Sequence, residues 1–336
     1  MSKTQLSNQP PDLAVLDGAE VFVLIDNVSD GLSSVPEGVT NEMDNIMEAG
    51  APCFSGESLC FACFGLSLVL TAKLGDTAHT LLFDGGPNGK AVEHNVPLLG
   101  ISMGMIEAAV LSHGHTDHAS GLPTAINLIT QDNGGHAIPV HVNPDMFRQR
   151  GEQLDNGEIY PHINIPTIKE LEQAGGQVVN SPEARLLLDD MFYLSGEIPR
   201  TTSYEKGIPV HFRRNATDTD WEPDPLLMDE RYLAFNLKDK GIMVFTACSH
   251  AGLINVLRDA RDKFSPTPLY GVMGGFHLAG GLFEPIIPDT VQDLKEFDLS
   301  MILPGHCTGW RAVHSLLNTF GEDIVMPSAV GRRHRF

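Results

Sequence analysis

The chain has 336 residues, 42% of them hydrophobic, and its 43 acidic against 22 basic side chains leave a net charge of −21. That much apolar material with 19% charged residues excludes a disordered or coiled-coil chain, and no apolar run reaches the ~18 residues that cross a bilayer. The acidity argues against nucleic acid as a ligand, because phosphate backbones select basic surfaces; a small anionic molecule stays open, since a bound metal can reverse the local field.

The first residues, 1–18, are polar with two prolines and read as a flexible leader; without a signal-type apolar segment they imply a cytoplasmic protein. Short runs rich in Val, Ile and Leu then predict strands at 21–27, 66–74, 79–86, 105–114 and 138–142, most of them closed by Gly, Asp or Asn. Helices are expected between them at 88–99 and 119–130. The stretch 143–190 is polar and irregular and reads as a helical insertion within one domain spanning 19–336. The second half repeats the rhythm with strands at 191–197, 208–214, 232–237, 241–247, 269–275 and 299–305, and helices at 252–264, 289–297 and 310–319. YLAFNLKDKGIMVFTA reads as a hairpin turning at Lys238–Gly241. Strands with interspersed helices in both halves suggest an α+β architecture of two mixed sheets with helices outside, which periodicity alone does not separate from a doubly wound sheet.

Five cysteines at irregular spacing make no disulfide framework for a chain of this length. Cys60 and Cys63 form a CxxC beside Cys53, but the surrounding LCFACFGLSLVL is apolar, so these thiols are read as buried in a core strand.

The chemistry concentrates in LSHGHTDHASGL at 111–122. In an extended strand end His113 and His115 project to one side, and Gly114 gives the backbone room between them. Asp117 and His118 point back at the same space as the chain turns into a helix. Imidazoles and a carboxylate packed this closely suit two divalent cations, with zinc first and manganese or iron as alternatives. Arg200 in GEIPR and Arg311 in GWRA offer planar forks for an anionic group; a surface role fits each equally. No glycine pair forms a phosphate-binding loop.

The order DGG, HGHTDH, PGHCTG resembles the metallo-β-lactamase superfamily, whose signature is HxHxDH, over about residues 20–325. The resemblance implies a four-layer αβ/βα sandwich with the metals at one edge between the sheets. It implies that Asp84 orients ligands by hydrogen bonds, and that His306 is the last ligand. The middle of the chain departs from the pattern. The segment before the hairpin has no histidine, only Glu197, and FTACSHAG replaces the usual Gly-Asp with Ala247, Cys248, Ser249 and His250. His250 is the candidate extra ligand with Cys248 as its rival, and His277 in GGFHLAG fits either a ligand or a group that touches substrate. The other histidines, His211 and His162 among them, default to surface or packing roles. The set IDNVSDG, GEIPR, ACSHAGLINV, GGFHL and GHCTG is similar to the subgroup of 7,8-dihydropterin-6-yl-methyl-4-(β-D-ribofuranosyl)aminobenzene-5′-phosphate synthase-like proteins, a name that denotes a condensing enzyme.

The expected ligand set is His113, His115, Asp117, His118, His250 and His306, with Asp117, Asp84 and His277 as catalytic candidates and Arg200, Arg311 and Glu197 facing substrate. The expected activity is a metal-dependent hydrolase that activates water against a small anionic metabolite, a phosphoester, lactone, thioester or amide. The alternatives are a transferase joining a dihydropterin pyrophosphate to an arylamine, or an iron-containing oxidoreductase or ligand sensor. Neither a nucleic acid nor a membrane partner is expected, and the oligomeric state stays open.

Overall fold

The computed structural model describes residues 10–336. Successive side chains of a strand face opposite ways, so an apolar run with no polar alternation is covered on both faces. Val21, Val23, Leu68, Leu70, Leu81, Phe83, Ala108 and Val110 point one way, toward Leu233, Phe235, Met243, Phe245, Met273 and Leu303 of a second sheet. Their alternates Phe22, Leu24, Val69, Leu82 and Ala109 pack outward on Val92, Val96, Leu122, Ile126 and Ile129. On the far side Tyr232, Ala234, Val244, Val272 and Ile302 pack on Ile254, Leu257, Val291 and Leu316. The result is helix, sheet, sheet, helix: the four-layer α+β sandwich.

The first large sheet runs Gly176–Asn180, Ile138–Val142, Ile106–Val110, Thr77–Phe83, Ser67–Leu74, Gly18–Ile25, Arg333–Arg335, Val39–Thr40. Its first four strands are parallel and the rest antiparallel. The second runs Arg185–Leu187, Phe192–Leu194, Tyr232–Leu237, Gly241–Thr246, Leu269–Gly275, Met301–Gly305. Tyr232–Leu237 and Gly241–Thr246 pair antiparallel as the expected hairpin, and the last two strands join in parallel after crossover helices. Helices Gly89–Leu98 and Leu122–Asp132 cover the first sheet; Leu253–Phe264, Ile287–Leu294 and Trp310–Phe320 cover the second.

Three expectations need correction. The stretch 143–190 is not a helical insertion, since its only α-helix is Ile168–Gln173. Arg150–Gln153 and Ile159–Pro161 instead join His211–Arg214 and Trp221–Pro223 in a small antiparallel sheet, a pairing with distant partners that local periodicity does not reveal. Of the 1–18 leader, 1–9 lie outside the described residues, whereas Val15–Leu16 pair in parallel with Asn236 and Leu237 and Leu16 is fully buried between the sheets. Cys60 and Cys63 precede the strand that begins at Ser67; Cys60 is buried, Cys63 half-buried and Cys53 exposed. Among the described residues no helix is long and apolar enough to cross a membrane.

Candidate metal centre

The strand Ile106–Val110 delivers His113 and His115 at its carboxyl end, before the short helix Thr116–Ala119. A Cβ on Gly114 would sit 2.5 Å from the Met146 carbonyl oxygen, so only glycine lets the turn pass between the two imidazoles. Four non-glycine residues with positive φ cluster here: Asp84 at 63°, Ser249 at 60°, His277 at 44° and His306 at 47°. Such backbone persists only where surrounding contacts over-determine it.

Hydrogen bonds set which nitrogen of each ring is free. The buried Asp84 carboxylate accepts from the Ser112 N–H, the Ser112 hydroxyl and His118 Nδ1–H, each at 2.7 Å. Because the Ser112 hydroxyl proton is committed to Asp84, its oxygen accepts from His113 Nδ1–H at 2.8 Å. One carboxylate therefore fixes Nδ1 of both His113 and His118 and turns their Nε2 atoms toward the shared space. His211 Nδ1–H donates to the Asp224 carbonyl at 3.0 Å, so its Nε2 accepts from His115 Nε2–H at 3.3 Å and His115 Nδ1 is bare.

The donor atoms face one another. His113 Nε2 lies 3.1 Å from both His115 Nδ1 and His250 Nε2. His118 Nε2 lies 3.1 Å from Cys248 Sγ and 3.2 Å from His306 Nε2, while Asp117 Oδ2 is 3.3 Å from His306 Nε2. The lone pairs of His113 Nε2 and His115 Nδ1, opposed at 3.1 Å with no proton between them, repel, and a cation placed between them removes the conflict. The donors fall into two sets, His113 with Cys248 and His250, and Asp117 with His118, Cys248 and His306, the atoms within each lying within 4.8 Å of one another. Cys248 is common to both. His250 thus lies on the His113–His115 side, and Cys248 stands where the superfamily resemblance implies an aspartate; the structure brings both rivals of the sequence reading into the convergent sets.

Burial and neighbouring charges shift these donors in opposite senses. Burial keeps His113 and His250 neutral by pushing their pKa values well below the ordinary imidazole range. Burial opposes ionisation of Asp117, yet His118 and His306 outweigh it and hold the carboxyl well below its usual range. Burial likewise disfavours a charged His118, but Asp117 and Asp84 raise it to about 9, so in the metal-free chain its Nε2 keeps a proton that an arriving cation displaces.

Buried acids clamp the turns. Asp26 Oδ1 accepts from the His306 N–H at 3.1 Å, and Asn27 Nδ2 donates to the His306 carbonyl at 3.0 Å. Glu230 accepts from the His250 and Ala251 N–H groups at 2.8 and 2.6 Å. Asp229 accepts from the Gly114 N–H at 2.9 Å and pairs with buried Arg150 at 2.5 Å. Sequence reasoning missed Arg150, His211, Asp229 and Glu230. An acidic pair directly before a strand, in MDERYLAF, is the one available signal; His211 and Arg150 carried none.

The donors open into a cavity of about 650 Å³ lined by His115, Asp117, Cys248, His250, His277, His306, Arg148 and Arg150, with Phe64, Tyr160 and Ile163 also on its wall. The last three are strongly exposed. The substrate-facing expectations need correction, since Arg200, Arg311 and Glu197 do not line it. Arg200 is spent on the backbone carbonyls of Ile198 and Leu226. Arg311 is exposed, pairs with Glu284 at 3.0 Å and lies over the Trp310 ring; Glu197 is exposed. Asp84 sits behind His118, and His277 lies on the cavity wall with its Nδ1 buried and unpartnered.

No family model matches the chain. It is 26% identical over 269 residues to a 7,8-dihydropterin-6-methyl-4-(β-D-ribofuranosyl)-aminobenzene-5′-phosphate synthase of Methanocaldococcus jannaschii, covering 77% of this chain and 86% of that one. An uncharacterised protein of the same organism is 30% identical over 245 residues, covering 71% of this chain and 84% of that one. Among solved structures, the fold is similar to that of a metal-dependent hydrolase of the β-lactamase superfamily, with a TM-score of 0.66 and 21% identity over 94% of this chain and 98% of that one.

Proposed function

The chain has the metallo-β-lactamase fold, and on that premise we propose that it is a two-metal hydrolase acting on a small anionic metabolite. The observation that carries this reading is the pair of donor sets sharing Cys248 at the wall of one open cavity. His113, His115 and His250 would hold one cation, and Asp117, His118 and His306 the other, with Cys248 between them. Thiolate and imidazole favour zinc, with manganese or iron as alternatives. Such cations supply Lewis acidity that makes hydroxide available near neutral pH and stabilises charge developing on a substrate oxygen.

The chain's own groups do the rest. The Asp117 carboxylate is 23% exposed on the cavity side and ionised, so it can hold and orient a water by accepting its proton in a hydrogen bond. His277, on the same wall, is placed to give a proton to a departing group. Arg148, paired with Glu222 at 3.0 Å, and Arg150, paired with Asp229 but with Nε and Nη1 unpartnered, line the cavity where an anionic substituent would sit, and Phe64, Tyr160 and Ile163 offer apolar surface to the remainder.

A second reading is favoured by the likeness to the synthase: the same centre would support transfer of a dihydropterin-methyl group to an arylamine with release of pyrophosphate. Metal content per chain, measured on protein purified without chelator and paired with hydrolysis of bis-p-nitrophenyl phosphate, separates the two. Two cations per chain with turnover, both lost in His115→Ala or Asp117→Ala, is the expected result. Full metal content in His115→Ala overturns the site. A two-metal protein inert to esters that releases pyrophosphate from a dihydropterin pyrophosphate and an arylamine establishes the second reading.

A further inference from the structure

Cys307 has no part in the centre described above, yet it stands beside it. Its Sγ lies 3.6 Å from the Cys248 carbonyl oxygen, and both thiols are buried. Cys248 Sγ, Cys307 Sγ and a His277 ring nitrogen fall within 4.8 Å of one another, a third convergent donor set. His277 reaches it from left-handed backbone and keeps a buried Nδ1 without a partner. All three residues line the 650 Å³ cavity, so an ion can enter from solvent. Space around Cys307 is kept by Gly275, where a Cβ would come within 2.7 Å of the Cys307 sulfur. Two sulfurs and an imidazole make the softest donor set in the molecule, matched to a thiophilic cation and poorly matched to manganese.

We propose that Cys248, His277 and Cys307 form a third cation position, selective for zinc or cadmium, that takes Cys248 from the two-metal centre when it fills. The proposal rests on the two-metal reading. On binding, the Cys307 thiol gives its proton to solvent, Cys248 comes as the thiolate it already is between the first two cations, and each sulfur donates a lone pair to the third cation. One sulfur cannot serve three cations well, so the third ion binds more weakly than the first two. It also occupies His277, and excess zinc therefore inhibits.

The test uses the full chain freed of metal by dialysis and titrated separately with Cd²⁺ and Mn²⁺. Bound metal is counted by elemental analysis, and thiolate ligation is followed by its ultraviolet charge-transfer absorption. The wild-type chain is expected to take a third cadmium with added absorption, but to stop at two manganese. Cys307→Ser, its fold checked by circular dichroism, is expected to lose one cadmium equivalent and keep two. A wild-type chain that saturates at two cadmium ions, or a Cys307→Ser variant that retains the third, overturns the proposal and leaves the two-metal reading standing. Fewer than two ions of either metal in the wild type overturns both. Should Cys307→Ser not fold, His277→Ala is expected to lose the same cadmium equivalent, and its keeping the third ion, bound then by the free thiols Cys53 or Cys63, overturns the proposal.

Discussion

Replacing Asp84 with asparagine changes one atom and tests the arrangement of the whole centre. The carboxylate accepts three hydrogen bonds of 2.7 Å, one at Oδ1 from the Ser112 N–H and two at Oδ2 from the Ser112 hydroxyl and His118 Nδ1–H. An amide has one acceptor oxygen. With that oxygen at the Oδ2 position, its NH₂ opposes the Ser112 N–H; turned over, the NH₂ opposes His118 Nδ1–H and the Ser112 hydroxyl. Either way at least one buried donor loses its partner, which costs about 1–3 kcal/mol. In the turned orientation His118 is driven to the other tautomer, with its proton on the nitrogen that faces Cys248 and His306. Loss of such a ligand-orienting partner typically weakens metal binding ~10–100-fold, which is about 1.4–2.7 kcal/mol and so of the same size as the hydrogen-bond cost. Zinc affinity by chelator competition and stability by urea unfolding of the metal-free chain measure the two effects separately. Asp84→Asn with zinc affinity within twofold of wild type and unchanged stability would refute the tautomer argument.

The Asp26–Asn27 clamp acts on His306 alone. Asn27→Leu removes the donor to the His306 carbonyl, and a lost hydrogen bond of about 0.5–1.5 kcal/mol corresponds to roughly 2–10-fold weaker binding of one cation. Two-step Co²⁺ titration checks this: the step involving His306 shifts and the step at His113, His115 and His250 does not, and equal shifts in both would dismiss the clamp. His334 governs part of the acid sensitivity. It is buried with neither ring nitrogen partnered, and burial, aided by Arg332, lowers its pKa to about 3. Below the ordinary histidine value the unfolded chain takes up a proton that the native chain refuses, so this contribution is full above about pH 6.5 and is lost as pH falls toward 3. Between about pH 7.5 and about pH 5 the loss is about 2 kcal/mol, and His334→Phe is expected to remove it with little change at neutral pH, since no hydrogen bond is broken. Parallel pH–stability curves for wild type and variant would show that His334 is not responsible.

Most of the layer structure is readable along the chain because burial on both faces of a strand leaves an unbroken apolar run. Ile138–Val142, Tyr232–Leu237 and Leu269–Gly275 have the boundaries that composition and turn residues suggest. The same holds for the residues of HGHTDH, where six consecutive positions carry four donors and local backbone geometry alone makes them converge. The small sheet is different, because Arg150–Gln153 is polar and acquires its strand character only from pairing with His211–Arg214.

Local properties of the sequence, apolar runs and donor spacing, determined most of the strands and the cluster His113, His115, Asp117 and His118. The sandwich, the edge where the candidate donors gather and the last donor His306 were implied by the resemblance carried by DGG, HGHTDH and PGHCTG, and His250 was the candidate where FTACSHAG departs from that pattern. Only the tertiary structure decided that Cys248 belongs to both donor sets, that His211 sets the tautomer of His115 from 96 positions away, and that Arg148 and Arg150, not Arg200 and Arg311, flank the cavity. Those relations arise when the two sheets close on each other, and a charged side chain has the same local signature whether closure turns it inward or leaves it in water.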